Sequence, residues 1–269
     1  MQITPTVKQL LIINILFFIG SQLVPSAEAY FALYSYQSSN FHFWQLITHM
    51  FMHGNLMHIF FNMFALYSFG SILEEFWGPK KFIFFYISCG LGAALMQMAI
   101  NYFELHQLLE GAANLSLSEP TLSKVLNATI SQGNMYRPDL FETEVRNILQ
   151  NAGKLELLNK ENFVALYQSA QATQVPMVGA SGAIYGLLVA FAFMVPDAKL
   201  GLMFIPIPIK AKYFVPGLLL VDLFLGIKGN SIFGGGSGVA HFAHIGGAIV
   251  GFLMMWYWKK NSFNNNRWN

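Results

Sequence analysis

Ser181 stands between glycines in the stretch Met177-Val178-Gly179-Ala180-Ser181-Gly182-Ala183-Ile184-Tyr185-Gly186, which opens an apolar run reaching about Val195. A serine so placed keeps its hydroxyl and the neighbouring N–H groups uncovered, as a nucleophile with an oxyanion site requires. The same small residues also suit a plain close contact between apolar helices. A base would decide the matter, and five of the seven histidines fall in two groups. His241 and His244 lie in Ala240-His241-Phe242-Ala243-His244-Ile245-Gly246-Gly247, while His49, His53 and His58 precede Asn62. A neutral imidazole can take the proton of an attacking hydroxyl and return it to a leaving amine. His58 and Asn62, at i and i+4, share a helix face, and both can donate hydrogen bonds to an anion forming beside Ser181. Any one of these residues alone is more often a structural group.

The elements that must position them belong to a membrane. Of the 269 residues 55% are hydrophobic and 10% charged, against about 25% charged in soluble domains. Six apolar runs are of spanning length or nearly so, at about 10–24, 56–73, 82–103, 178–195, 213–227 and 240–258. The first, fourth and fifth are short for a hydrocarbon layer of about 30 Å. A net charge of +2 with no basic run among aromatics excludes a nucleic-acid partner. Cys89 is the single cysteine, which excludes an internal disulfide and a cysteine metal cluster. Ser26-Ala27-Glu28-Ala29 is too weak a cleavage signal, so the first run reads as an uncleaved span.

Six spans put both termini on one side. That side carries Lys8, Lys80, Lys81, Lys199, Lys210, Lys212, Lys259, Lys260 and Arg267, whereas the short opposite connections hold only Lys228. The positive-inside rule therefore assigns both termini to the cytoplasm. The long connection 104–176, with five basic and eight acidic residues, falls outside by alternation. It reads as a small helical appendage: Leu140, Phe141, Val145, Ile148 and Leu149 fall on one helical face, and Lys160 to Gln171 forms a second amphipathic segment. Decoration on the outer membrane surface is the expectation, with a substrate-admitting or partner-binding element as the alternative. Ser181, a turn inside the fourth span, then lies at a similar depth to His241 and His244 at the start of the sixth. Gly182 with Gly186 and Gly247 with Gly251 would let these two helices approach closely.

Gly179-Ala180-Ser181-Gly182 with Tyr185, His58-x-x-x-Asn62 at the head of the second span, and Ala243-His244-x-Gly246-Gly247-x-x-x-Gly251 in the sixth resemble the rhomboid intramembrane serine proteases. The resemblance covers roughly 8–103 and 177–258. It implies an all-α membrane protein, a six-transmembrane-helix rhomboid-like bundle formed by 1–103 and 177–269, with 104–176 a small helical extramembrane insertion in the same domain. It further implies a Ser181–His244 dyad, with His58, Asn62 and the Ser181 N–H around the oxyanion, Gly179 beside them and Tyr185 packed on the His244 ring. His49 and His53 would fasten the loop between the first two spans. His241, three residues before His244, faces a similar way and competes for its role, the glycine placement favouring His244. Asp222 is the one acidic residue inside a span; with no partner evident, a structural or gating role is expected rather than third place in a triad.

The implied activity is a serine endopeptidase that needs no cofactor or metal and cleaves transmembrane segments of membrane proteins near their outer ends. Such a substrate must unwind locally, because a spanning helix hides its carbonyls in its own hydrogen bonds. Pro216 and Gly217 in the fifth span, with Gly234-Gly235-Gly236-Ser237-Gly238, are the expected gate and cap. Two other readings stand beside it: an inactive relative that binds spanning helices, and a histidine-rich metal-binding protein, against which no Cys, Asp or Glu accompanies the histidines. The expected residence is a bacterial inner membrane, with the lipid bilayer and transmembrane substrates as partners.

Overall fold

A computed structural model describes residues 2–24, 26–133, 135–202, 205–228 and 239–262, and for 202, 205–207, 239–240 and 261–262 the backbone alone. By internal contacts the chain divides into two compact units, one of Met1–Ala32, Leu46–Gln97 and Val178–Asn269, the other of Leu33–Gln45 and Met98–Met177.

The first unit is helical and apolar. Its long helices are α1 (Pro5–Leu23), α2 (Leu56–Trp77) and the greater part of α3 (Pro79–Glu110). Later in the chain come three more, which below are α7 (Ser181–Met194), α8 (Ala211–Lys228) and α9 (Val239–Ser262). Helices α1, α2 and α3 are long and apolar enough to cross a membrane, and α7 is a shorter apolar helix. The runs that read as short at 10–24 and 213–227 lengthen to 19 and 18 residues, because flanking polar residues join the helices. Only α7, at 14 residues, stays short.

Side chains cap the starts of α1 and α2. The buried Glu74 carboxylate of α2 accepts from Thr4 Oγ1 at 2.5 Å and from the Thr6 and Val7 N–H groups at 2.9 Å each. It thereby caps the orphan donors of α1, where a negative charge also meets the positive end of the helix dipole. Asn55 caps α2 by accepting from the His58 N–H at 2.9 Å. Within α2 the turn Leu66–Gly70 is π-helical, a local widening that periodicity alone does not announce. Gly78, at φ 76°, ends α2 in a conformation that favours glycine, and Pro79 starts α3 at once.

The core lies where α3, α7 and α9 meet. Phe82, Phe85, Tyr86 and Cys89 of α3 are fully buried with Ala183, Leu187 and Ala190 of α7. A side chain at Gly186 would strike Cys89 Cβ at 2.6 Å, and one at Gly246 would meet the Gly92 carbonyl at 2.7 Å. A side chain at Gly247 would run into the Gly182 main chain, and one at Gly251 would meet Gly186 Cα at 2.8 Å. So α7 and α9 touch backbone to backbone through both expected glycine pairs.

The chain is not wholly helical. Strands β3 (Lys199–Leu202) and β4 (Ile205–Lys210) pair antiparallel between α7 and α8. Their Ile-Pro alternation denies a helix its N–H donors. An earlier two-residue pair, β1 (Ser131–Gln132) with β2 (Met135–Tyr136), lies in the second unit.

The second unit has its own core. Between α4 (Glu119–Leu126), α5 (Pro138–Asn151) and α6 (Lys160–Gln174) are buried Leu115, Val125, Phe141, Val145, Leu149 and Leu166. The two amphipathic helices expected in the insertion are α5 and α6. Less expected is the membership of Leu33–Gln45. Asn127 Oδ1 accepts from the Ser39 N–H at 2.7 Å while its Nδ2 donates to the Gln37 carbonyl at 3.1 Å. Leu33 and Met177 exchange backbone hydrogen bonds at 2.9 and 2.8 Å. Asn114 is engaged as well, accepting from Asn162 Nδ2 at 2.7 Å.

Candidate active site

The site begins at Gly179. Its N–H donates to the His49 carbonyl at 2.9 Å and its φ is 124°. This turn delivers Ser181 as the first residue of α7, rather than a turn inside it as the apolar run suggested. The position matters, since the first N–H groups of a helix have no intrahelical partner and carry the positive end of its dipole.

His244 comes from α9. Because Gly247 lies against the Gly182 main chain, the two helices are near enough for His244 Nε2 to sit 2.8 Å from Ser181 Oγ. Tyr185, one turn after Ser181, stacks on the imidazole with ring centroids 4.2 Å apart and planes 10° from parallel. His241, the competing histidine, turns elsewhere: its ring stands at 90° to that of His244, and its Nδ1 hydrogen-bonds Asp222 Oδ1.

Asp222 departs from expectation. Its carboxylate, 2% exposed on α8, places Oδ1 3.3 Å from His244 Nδ1. The expectation that Asp222 has no evident partner is therefore corrected. Gly226, one turn later, allows this approach: a side chain there would meet His241 Cβ at 3.3 Å. The Tyr185 hydroxyl is a further polar neighbour of the carboxylate. A usable signal was present in the sequence. A lone acid in an apolar helix must find donors, and two histidines three residues apart on the next helix present them side by side.

His58 borders Ser181 at Gly179, and Asn62 follows His58 by one turn of α2. A methyl group at Gly179 would lie 2.7 Å from His58 Nε2 and 3.6 Å from Ser181 Oγ, so the serine and the imidazole border one small space. Asn62 is 6% exposed, and its Nδ2 is a buried donor with no partner among the described residues. An unmade buried hydrogen bond costs about 1–3 kcal/mol, and an oxyanion would supply the acceptor. His53 packs edge-on against His58 with centroids 5.0 Å apart. In the loop between α1 and α2, burial lowers the His53 pKa to about 4, with His58 adding to the effect. His53 is thus neutral at physiological pH, as a packing role requires. His49 is buried and contributes its carbonyl to Gly179.

The ligand-capable atoms of Asp222, His241 and His244 lie within 4.8 Å of one another, which corrects the argument that no acid accompanies the histidines. They are already hydrogen-bonded to each other, and a metal between Asp222 and His241 would have to break the shortest of those contacts. Pro216 and Gly217 lie inside a continuous α8; the expected glycine cap, 234–238, falls outside the described residues.

The chain is similar to several rhomboid proteins. An uncharacterised mitochondrial rhomboid protein of Schizosaccharomyces pombe is 26% identical over 227 residues, 81% of this chain and 52% of that protein. The mitochondrial presenilin-associated rhomboid-like protein A of Danio rerio is 31% identical over 118 residues, 38% of this chain and 28% of that one. A rhomboid-like protease 3 of Toxoplasma gondii is 30% identical over 74 residues, 28% of each. The chain spans about half the length of the first of these and less of the others. All three organisms are eukaryotic and two of the proteins are named as mitochondrial, so the expected bacterial inner membrane gains no support. Residues 40–114 and 158–261 match the family model for the rhomboid domain; with its apolar helices and the Ser181–His244 pair, the chain belongs to the rhomboid family of integral membrane proteins.

Proposed function

We propose that this chain is an intramembrane serine endopeptidase acting on transmembrane segments of other membrane proteins. The observation that carries the reading is the 2.8 Å hydrogen bond between Ser181 Oγ and His244 Nε2 at the head of α7. Ser181 Oγ attacks a peptide carbonyl while its proton passes to His244 Nε2. The oxyanion is met by the Ser181 N–H, Asn62 Nδ2 and His58, donors set before the charge develops. The imidazolium then protonates the leaving amine, and a water molecule, deprotonated by the same imidazole, releases the acyl group. Tyr185 fixes the plane of the base by stacking. The carbonyl offered must come from a segment that has left its helix, since an intact spanning helix keeps its carbonyls bonded. Substrates with helix-weakening residues near one membrane surface fit that demand, and the spread of Lys residues makes this the surface opposite both termini.

A fluorophosphonate probe tests the reading in detergent, because it labels an activated serine and spares an ordinary one. Labelling of wild type that disappears in both Ser181→Ala and His244→Ala is expected. Folded wild-type protein that takes no label would overturn it and leave helix binding or metal binding as the readings.

A further inference from the structure

Three helices meet around His244, and the third, α8, has no part in a two-residue mechanism. Asp222 Oδ1 on α8 is the single oxygen on which both histidines of α9 converge: His244 Nδ1 at 3.3 Å, and His241 Nδ1 in closer contact. The carboxylate is 2% exposed and the His241 ring 5%. A buried acid with two imidazole partners is not surface chance, because an unpaired charge at that depth would be neutralised or expelled.

A carboxylate accepts and does not donate when ionised. Facing Asp222, His244 Nδ1 must carry the hydrogen, and Nε2 is then the bare nitrogen turned to the Ser181 hydroxyl. With the reverse tautomer, Nε2 would present a hydrogen to Ser181 and could not receive its proton. We propose that Asp222, held in place by His241, is the positioning carboxylate of His244: it selects the tautomer in which Nε2 is a base and stabilises the imidazolium formed when Ser181 attacks. This rests on the protease reading above. The proton balance is simple: it leaves Ser181 Oγ, resides on His244 Nε2, and passes to the leaving amine, while Asp222 keeps its charge throughout. His241 donates its Nδ1 hydrogen to the same oxygen, which stops the carboxylate rotating away from His244.

The test uses full-length protein in detergent and saturation kinetics of fluorophosphonate labelling, which separate the maximal labelling rate from probe affinity. Asp222→Asn keeps the shape and removes the charge. In this variant the maximal rate should fall about a hundredfold to ten-thousandfold, the upper figure being that known for the same change in a soluble Ser-His-Asp enzyme. Probe affinity and the thermal unfolding midpoint should stay at wild-type values, and Asp222→Glu should regain part of the rate. An Asp222→Asn protein labelling within threefold of wild type would overturn the proposal. A second measurement needs neither activity nor a folded variant at position 222: the nitrogen-15 spectrum of histidine-labelled wild type, with the His244 signals identified by their loss in His244→Gln. Hydrogen on Nδ1 of neutral His244 supports the proposal; hydrogen on Nε2 overturns it. Wild type that takes no label at all is a failure of the protease reading, and the tautomer still decides the role of Asp222.

Discussion

Gly179 and His58 compete for one volume: any Cβ at position 179 would stand 2.7 Å from His58 Nε2. The glycine also holds a φ of 124° that residues with a side chain rarely adopt. Gly179→Ala therefore both strains the turn and displaces a donor. Strain alone is on the order of 1–3 kcal/mol. The expected outcome is a lower thermal midpoint together with loss of fluorophosphonate labelling. A variant that labels as wild type does would show the turn to be tolerant and the space unused.

Asn62 separates function from stability. Its Nδ2 has no partner among the described residues. Asn62→Ala should slow labelling or cleavage by about tenfold to a thousandfold, the scale of one oxyanion donor. It should leave the unfolding midpoint unchanged or raise it, since Nδ2 has no partner among the described residues to lose. His58→Ala should share the kinetic loss. A drop in stability with unchanged rate at Asn62 would assign it to packing instead.

At the crossing of α7 and α9 no side chain can yield. Gly247 faces the Gly182 main chain, and a methyl group there must push the helices apart. Overpacking of this kind costs about 1–3 kcal/mol, and the displacement falls on the 2.8 Å Ser181–His244 contact. Gly247→Ala should thus lose labelling, whereas Gly217→Ala, where nothing lies within 4 Å of a new Cβ, should fold as wild type does. Retained labelling in Gly247→Ala would mean that the helix contact does not set the distance.

His53 ties stability to pH. Its pKa is about 4 in the folded protein, held down by burial, against an ordinary 6.5. The unfolded chain binds the proton first, so this contribution is complete above pH 6.5 and is lost as pH falls from there toward 4. The full effect is on the order of 3 kcal/mol. The wild-type thermal midpoint should fall across that window, and His53→Gln should flatten the fall. An equal slope in both proteins would remove His53 as its source.

Much of the architecture was legible because a bilayer imposes long apolar helices and the sequence writes them as uninterrupted runs. The glycine pairs 182/186 and 247/251 were readable for a similar reason, since small residues at fixed spacing have one strong use between helices. Ser181, His244, His58 and Asn62 could be named from their motifs. Asp222 could be read only as an acid in need of donors, because which residues supply them depends on a contact between α8 and α9 that no local pattern encodes. The π turn at Leu66–Gly70 and the pairing of β3 with β4 share that property. The grouping of Leu33–Gln45 with the insertion hangs on hydrogen bonds such as those of Asn127, made between segments nearly ninety positions apart.

The brevity of α7 would make lipid length a variable of the proposed reaction. Fourteen residues span only about 21 Å, while a hydrocarbon layer measures about 30 Å. A helix that much too short leaves its first residue below the surface or draws the surface down to meet it. In the proposed function the nucleophile, Ser181, is that first residue. Longer acyl chains would bury Ser181 farther from the water that must hydrolyse the acyl-enzyme, and shorter ones would bring water closer. The thickness of the host membrane would then act on turnover as directly as a side chain does.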